Sequence, residues 1–188
     1  SICSHLAESH NKIATLKQIS NFKSITKKIE LLLGVKINKN LLNSQGLLNF
    51  PNYQFDSVRL GIGLYDAANN CNLKQISCFS SVITQIRTVN KGESIGYGGS
   101  FIAKKKIKIA IIPVGYADGI NRKLGNTNGN VFINNYACPI IGDISMDSFA
   151  VDITKCEARE GDEVELFGNN ITVAEIAKKI NTIPYEIY

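Results

Sequence analysis

Three short blocks in the middle of the chain combine tyrosine, methionine and carboxylate side chains with glycine: Gly96-Tyr97-Gly98, Gly115-Tyr116-Ala117-Asp118-Gly119 and Ile144-Ser145-Met146-Asp147. Each block stands where an alternating apolar run ends, which predicts a loop tip on a β scaffold. A tyrosine phenol can exchange a proton, but its pKa of ~10 must be lowered by cations or hydrogen bonds before it acts as a base. Taken singly, the blocks are more typical of strand-end packing, a turn and core filling, respectively.

A second set of residues could hold a phosphate group. Ser44, Gly61 and Ile62 are predicted at or near strand ends, where a hydroxyl and backbone N–H groups can converge on a phosphate without a lysine. On these residues alone, turn chemistry and close packing of the glycines is the better interpretation. Arg59 stands in the same apolar run, and its burial requires a ligand or a partner such as a structural ion pair.

The N-terminal part of the chain alternates strands with one long helix. Strands are predicted at 2–7, 35–42 and 58–64. Between the first two, apolar residues recur at steps of three and four before Gly34, which predicts an amphipathic helix with a glycine stop: Ile13, Leu16, Ile19, Phe22, Ile25, Ile29, Leu32 and Leu33. This order is typical of the last units of a parallel β/α barrel, whose chemistry lies at the carboxyl ends of the strands.

The pattern changes at the polar stretch Ala67-Ala68-Asn69-Asn70, where we place a domain boundary. Beyond it, short β-branched runs with period two predict an antiparallel β domain, with strands at 82–89, 107–114, 131–133, 149–153 and 164–167. One late helix interrupts the strands. Thr172 and Glu175 form a predicted capping box at its start.

The composition excludes several functional classes. The 188 residues are 44% hydrophobic, which predicts an ordinary globular core, and the net charge is +5. The lysines at 104–106 and 108 have no interleaved aromatic residues, so they indicate a solvated hairpin tip rather than a nucleic-acid face. No apolar run is long enough to span a membrane, and no signal-peptide pattern is present. We expect a cytoplasmic protein with neither a nucleic-acid nor a membrane partner.

The cysteines and histidines indicate neither a disulfide framework nor a metal site. His5 and His10 lack the partners that a metal ion requires. The five cysteines are odd in number, irregularly spaced and without a Cys-x-x-Cys pair, which predicts free thiols in a reducing compartment: Cys3, Cys71, Cys78, Cys138 and Cys156.

In this order and spacing, the three blocks resemble the C-terminal domain of alanine racemase, a pyridoxal-phosphate enzyme of fold type III. The resemblance extends from Ser4-His5-Leu6-Ala7 through Asn43-Ser44 and the segment 59–65 to Ile187. It implies an α/β plus all-β fold: the last strands and helix of a TIM-type β/α barrel, at 1–77, followed by an antiparallel β domain at 78–188. The cofactor phosphate is expected on the barrel side.

The resemblance assigns roles to residues that the pattern alone leaves open. In the family, the positions of Ser44, Gly61, Ile62 and Tyr185 hold the phosphate of pyridoxal 5'-phosphate. The position of Arg59 faces the pyridine nitrogen of the cofactor.

The three blocks receive roles at the substrate. The position of Tyr97 is one of two acid/base groups that flank the substrate. Tyr116 is expected to narrow the entry to the site, and Met146 is expected to offer its backbone N–H to the substrate carboxylate. In the family these three act at the neighbouring subunit's cofactor, which implies a head-to-tail homodimer with alanine as substrate.

The chain also departs from the family pattern. Asn40 replaces a histidine, Asp66 a glycine, and Asp143 and Ser148 replace an arginine and a glutamine, which changes the charge expected at the entry. No lysine stands in the family's Schiff-base motif, and the substrate-gripping arginine is expected upstream. We therefore expect a chain truncated at both ends that does not racemise alanine alone.

Three functions follow as hypotheses. The first is the C-terminal half of an isomerase that interconverts L-alanine and D-alanine by two-base proton transfer and supplies D-alanine for peptidoglycan. The second is a racemase of broader amino-acid specificity. The third is a non-catalytic β-domain module for dimerisation that remains after truncation.

Overall fold

The computed structural model describes residues 1–65 and 73–188, and the chain forms two compact units, Ser1–Lys74 and Gln75–Tyr188. The boundary predicted at 67–70 lies outside the described residues, as does Asp66. The division into 1–77 and 78–188 as functional domains stays a prediction.

A long helix dominates the first unit, as predicted. Helix α1 (Lys12–Leu33) connects strand β1 (Ile2–Cys3) to strand β2 (Lys39–Asn40), and the two strands pair in parallel. The Asn11 side chain caps the helix start by accepting hydrogen bonds from two backbone N–H groups of the first turn. Gly34 ends the helix in the left-handed region, at φ +65°.

Buried side chains attach α1 to the chain segment after β2. Ile19 and Phe22 on the helix pack in one apolar cluster with Leu6, Leu41 and Leu42.

The Glu30 carboxylate ties the end of α1 to β2. It accepts hydrogen bonds from the Ile37 N–H at 2.9 Å and from Lys39 Nζ at 2.6 Å. These bonds, first the one from the Ile37 backbone, lower the pKa of Glu30.

The strand predicted at 58–64 is wrong. Ser57 makes a single parallel bridge to Asn40, and the chain then turns into a 3₁₀ helix, Ile62–Leu64. The reason is that the Gly61 and Gly63 N–H groups donate to the Ser44 hydroxyl instead of to a neighbouring strand. The strands predicted at 2–7 and 35–42 exist, but each contains only two residues.

Ser44, which is predicted at or near a strand end, is the first residue of a helix. Helix α2 (Ser44–Asn49) begins there, and the Asn43 side chain accepts from the Gly46 N–H at 2.8 Å.

The second unit is built on a seven-stranded antiparallel sheet, which confirms the predicted class of this domain. Its elements are β3 (Phe79–Val82), β4 (Gln85–Val89), β5 (Ser94–Ile95), β6 (Phe101–Ile102), β7 (Ile107–Ile112), β8 (Asn130–Ile133), β9 (Tyr136–Ile141), β10 (Phe149–Asp152), β11 (Glu163–Phe167) and helix α3 (Val173–Lys179). The strands of the large sheet follow the order β3-β11-β8-β9-β10-β7-β4, and β5 and β6 form a separate pair.

The two edges of this sheet are halves of one bent strand. Only Ile83 and Thr84 separate β3 from β4, and Ile83 is buried. The first half pairs with β11 and the second with β7, so the sheet curls around the largest apolar cluster in the described residues.

Helix α3 packs onto that cluster. Its buried residues Val173 and Ile176 belong to the cluster. The capping box is confirmed, since the Thr172 N–H donates to Glu175 Oε2 at 2.8 Å and the Glu175 N–H donates to Thr172 Oγ1 at 3.2 Å. Within 1–65 and 73–188, no helix combines the length and apolar character needed to cross a membrane.

Two loops of the second unit touch through their backbones at Gly115. The Tyr116 N–H donates to the Ser145 carbonyl and the Ala117 N–H to the Met146 carbonyl, each at 3.0 Å. A Cβ atom at position 115 would lie 2.1 Å from the Met146 oxygen and 2.3 Å from its carbonyl carbon. Because backbone atoms cannot move aside as a flexible side chain can, only glycine permits this contact.

We expect Gly115→Ala to destabilise the second unit by about 3 kcal/mol or more, because the added methyl group overlaps backbone atoms. Urea unfolding followed by circular dichroism measures this. Gly92→Ala is the matched control: Gly92 has φ +92° but open space around it, so it carries only the conformational cost of about 1 to 2 kcal/mol. Equal losses for the two variants would contradict the contact.

Candidate functional site

All three sequence blocks meet at the loop between β9 and β10. The Gly115 contact joins the second block to Ser145 and Met146. The first block approaches the same loop from the other side, since the Asp143 N–H donates to Ser100 Oγ at 3.0 Å. A Cβ atom at Gly96, which has φ +80°, would lie 3.4 Å from the Asp143 nitrogen. Tyr97, Tyr116 and Met146 are therefore presented from loops that share one backbone platform.

The side chains on this platform are exposed. The exposed fractions are 76% for Tyr97, 47% for Tyr116 and 54% for Met146. The Arg122 guanidinium carbon lies 6.0 Å from the centre of the Tyr116 ring, a cation–π contact. Side chains exposed to this degree are open to contact with a bound molecule.

The platform is fixed below the exposed groups by hydrogen bonds. The Gly115 N–H donates to the Asp118 carboxylate at 2.9 Å, which closes the turn of the second block. Asn126 Nδ2 donates to Asp143 Oδ1 at 2.8 Å, and the Asn126 N–H donates to the Gly142 carbonyl at 2.9 Å. Asp143, one of the departures from the family pattern, is thus held at the edge of the platform.

In the first unit, Arg59 lies at the carboxyl ends of the two parallel strands. Its Nη2 donates to the Ser4 carbonyl at 2.7 Å, and its Nη1 donates to Asn40 Oδ1. Among the described residues the ion pairs are Lys39 with Glu30 and Arg159 with Asp162, so Arg59 does not belong to a salt bridge of this part of the chain. Neutral oxygen atoms orient its guanidinium and leave its positive charge uncompensated by a carboxylate.

Ser44 is the centre of a compact group of hydrogen-bonding atoms. It is buried, and its Oγ accepts from the Gly61 N–H at 3.0 Å and from the Gly63 N–H at 3.2 Å. Ile62 lies between these two glycines in the same turn. A hydroxyl and neighbouring N–H donors are the groups that bind a phosphate when no lysine is used.

His5 is a site residue that the sequence analysis missed. Its Nδ1 lies 3.2 Å from Arg59 Nη2, and its Nε2 lies 3.3 Å from Asn43 Nδ2. It therefore connects the arginine to the residue before Ser44. The signal for it in the sequence is the block Ser4-His5-Leu6-Ala7, where the resemblance begins.

Except for Tyr185, the predicted site residues form one group in each unit. Ser44, Arg59, Gly61 and Ile62 lie in the first unit. Tyr97, Tyr116 and Met146 share the platform of the second, and Tyr185 lies there in a separate 3₁₀ helix, Pro184–Glu186, with 57% of its surface exposed. Across the described ranges, no three His, Cys, Asp or Glu side chains are grouped closely enough to hold a metal ion.

Known proteins match both parts of the chain. Residues 76–188 match the family described as alanine racemase, C-terminal domain, and residues 1–69 match alanine racemase, N-terminal domain. Alanine racemase 2 of Caldanaerobacter subterraneus subsp. tengcongensis is 39% identical over 201 residues, which cover 100% of this chain and 51% of the relative. The chain thus spans about half the length of the curated relatives it matches.

Solved structures give the same result. The alanine racemase of Clostridium difficile 630 in complex with cycloserine aligns with a TM-score of 0.90 and 34% identity, covering 98% of this chain and 52% of that one. The alanine racemase of Bartonella henselae with covalently bound pyridoxal phosphate aligns with a TM-score of 0.87 and 34% identity, covering 99% and 52%. The resemblance found in the sequence is confirmed, and the chain belongs to the alanine racemase family.

Proposed function

We propose that this chain is the C-terminal part of an enzyme that interconverts L-alanine and D-alanine by two-base proton transfer. The observation that carries the proposal is the shared platform, which joins Tyr97, Tyr116 and Met146 through backbone contacts at Gly96 and Gly115. Inverting a Cα centre requires proton removal on one face and delivery on the other, so an acid/base group must be held rigidly beside the substrate.

Pyridoxal 5'-phosphate is the proposed cofactor, as in the Bartonella relative, where it is covalently bound. The residues of the first unit fit it: the Ser44 hydroxyl, which accepts from the Gly61 and Gly63 N–H groups, has its own proton to donate to a phosphate. Gly61 and Ile62 bring the backbone of the same turn to that phosphate, and Arg59 is a suitable partner for the pyridine nitrogen. The cofactor, when bound, withdraws electrons from Cα and makes its proton acidic. The role of Tyr185 at the phosphate stays a prediction.

Arg59 is proposed to limit that electron withdrawal. A guanidinium is permanently protonated, so it cannot accept a proton from the pyridine ring. The Ser4 carbonyl and the Asn40 side-chain oxygen accept hydrogen bonds from the guanidinium. These bonds hold its position at the ends of the two strands. When electron withdrawal is weaker, Cα must be reprotonated promptly. This requires an acid close to Cα.

Tyr97 is proposed as that acid, and as the base in the reverse direction. Tyr116 narrows the entry, and Met146 offers its backbone N–H to the substrate carboxylate. The direction of this N–H follows from the peptide plane: the Ser145 carbonyl points to the Tyr116 N–H, so in a trans peptide the Met146 N–H points away from that loop.

A head-to-tail homodimer is the proposed assembly, in which the platform of residues 78–188 completes the cofactor site on residues 1–77 of another copy. The exposure of Tyr97, at 76%, supports this arrangement, because a proton-transfer group needs shielding from bulk water to be effective. The second base is proposed to be a lysine supplied by an upstream segment.

The first test joins the chain to the N-terminal part of the Caldanaerobacter relative. We expect this chimera to elute as a dimer, to bind pyridoxal phosphate and to racemise alanine in a coupled D-alanine assay, whereas the chain of 188 residues alone does not. A folded, cofactor-loaded dimer without racemase activity would contradict the proposed function. Activity of the chain alone would contradict the proposal that the second base is a lysine of an upstream segment.

The second test replaces the phenol. In the active chimera, Tyr97→Phe should reduce Cα proton exchange from one alanine enantiomer by about 10²- to 10⁴-fold, with a much smaller effect on the other, because one acid/base group is lost. Exchange in D₂O, followed by NMR for each enantiomer, measures this. Tyr136→Phe, which removes another exposed tyrosine hydroxyl of the second unit, is the control and should leave both rates unchanged. Equal losses from both enantiomers on Tyr97→Phe would rule out a one-face role.

The third test addresses the phosphate. Ser44→Ala removes the hydroxyl that meets the Gly61 and Gly63 N–H groups, and we expect pyridoxal phosphate to bind the chimera about tenfold more weakly, equivalent to one hydrogen bond to a charged group. Absorbance titration measures the affinity, with Ser24→Ala on the exposed side of α1 as the control. Unchanged affinity in Ser44→Ala would remove this residue from the site.

A further inference from the structure

Two buried cysteines of the second unit lie outside the site described above. Cys138 belongs to β9, and Cys156 follows β10. Their exposed fractions are 2% and 6%. Both belong to the cluster enclosed by the curled sheet.

The two thiols are anchored at one end of the β8–β9 hairpin. The Cys138 thiol donates to the Tyr136 carbonyl at 3.7 Å, and the Cys156 thiol donates to the Ile133 carbonyl at 3.5 Å. Ile133 and Tyr136 face each other in the register of this hairpin. Both sulfur atoms are therefore anchored to the same pair of opposed residues.

A cavity borders both cysteines and extends to exposed residues. Cys138 and Cys156 line a space of about 340 Å³ whose other walls include the exposed residues Lys105, Tyr136 and Lys155. Water and molecules of similar size, such as hydrogen peroxide, fit this space.

We propose that Cys138 and Cys156 form an oxidation site, a dithiol that hydrogen peroxide converts into an intramolecular disulfide. In the first step, the Cys156 sulfur attacks a peroxide oxygen: an S–O bond forms, the O–O bond breaks and water leaves. In the second step, the Cys138 sulfur attacks that of Cys156: the S–S bond forms, the S–O bond breaks and a second water leaves with the Cys138 proton. The two thiols lose two electrons and two protons, and one peroxide becomes two waters.

The order of the two steps follows from the surroundings of the thiols. Burial, together with the neighbouring Cys156, raises the pKa of Cys138 to about 12. A thiol held protonated is a poor first nucleophile. Cys156 is also the more exposed of the two, so it reacts first and Cys138 resolves the intermediate.

The disulfide would tie β9 to the segment that follows β10. These strands are paired through Ile140 and Ile141, and the loop between them carries Met146. The bond would therefore close the base of the hairpin whose tip belongs to the platform. It restricts the unfolded chain, so oxidation should also raise the melting temperature.

The test uses the whole chain with Cys3, Cys71 and Cys78 replaced by serine. After peroxide treatment, we expect the loss of two hydrogen atoms by intact mass, a linked Cys138–Cys156 peptide after digestion, and reversal by dithiothreitol. Alkylation after denaturation should then find no free thiol. Two alkylatable thiols after prolonged peroxide exposure, or linkage only between different chains, would overturn the proposal.

Single substitutions separate the two roles. With Cys138→Ser, Cys156 should accumulate as a sulfenic acid that dimedone traps, whereas with Cys156→Ser, Cys138 should stay a thiol. The reverse pattern would overturn the assigned order.

A test on the unsubstituted pair does not depend on the folding of these variants. Phenylarsine oxide bridges two adjacent thiols, and the triple-serine chain should bind it at a ratio of one to one with loss of both thiols. The absence of such an adduct in the folded chain would show that the sulfurs do not meet.

Discussion

The candidate site of the second unit depends on the backbone contact between Gly115 and the loop that carries Met146. Two N–H groups, of Tyr116 and Ala117, donate to consecutive carbonyls of that loop, and the missing side chain lets the two backbones come this close. The contact therefore fixes three things: the start of the second block, the path of the third and the direction of the Met146 N–H. Positions set by backbone hydrogen bonds are well defined even where the side chains around them are exposed.

In the first unit, hydrogen bonds to backbone atoms likewise position a functional group, here the charged guanidinium of Arg59. Carbonyl oxygens at the ends of two parallel strands orient Arg59, and the Ser44 hydroxyl gathers the N–H groups of the turn that follows it. Carbonyl dipoles stabilise a guanidinium without neutralising it, unlike a carboxylate. The positive charge therefore remains available to a ligand, and the turn needs no strand partner to satisfy its donors.

Local signals in the sequence predicted well what depends on local structure. The glycine stop at Gly34 and the capping box at Thr172 each depend on residues within one turn, and α1 ends and α3 begins as these signals indicate. The antiparallel class of the second unit follows from period-two runs. The family was predicted from the order of the blocks and is confirmed by the comparisons.

Local sequence signals did not predict the interactions between residues that are distant in the chain. The alternating pattern at 61–63 is typical of a strand. The N–H groups of Gly61 and Gly63, however, donate to the hydroxyl of Ser44, which is distant in sequence. Strand β9 was missed, since it contains Pro139, a residue that lowers the expectation of a strand. His5 gave no chemical signal on its own, because its place beside Arg59 exists only after the chain has folded.

The β9–β10 hairpin connects the two kinds of chemistry in the second unit. Its loop carries Met146 on the platform, while Cys138 and Cys156 lie at its base. The strands between them are buried and hydrogen-bonded on both sides, since β9 also pairs with β8 and β10 with β7. A well-packed interior of this kind deforms little, so a restraint on one end of the hairpin is transmitted to the other end. A bond at the base therefore acts on the same rigid element that aims the Met146 N–H.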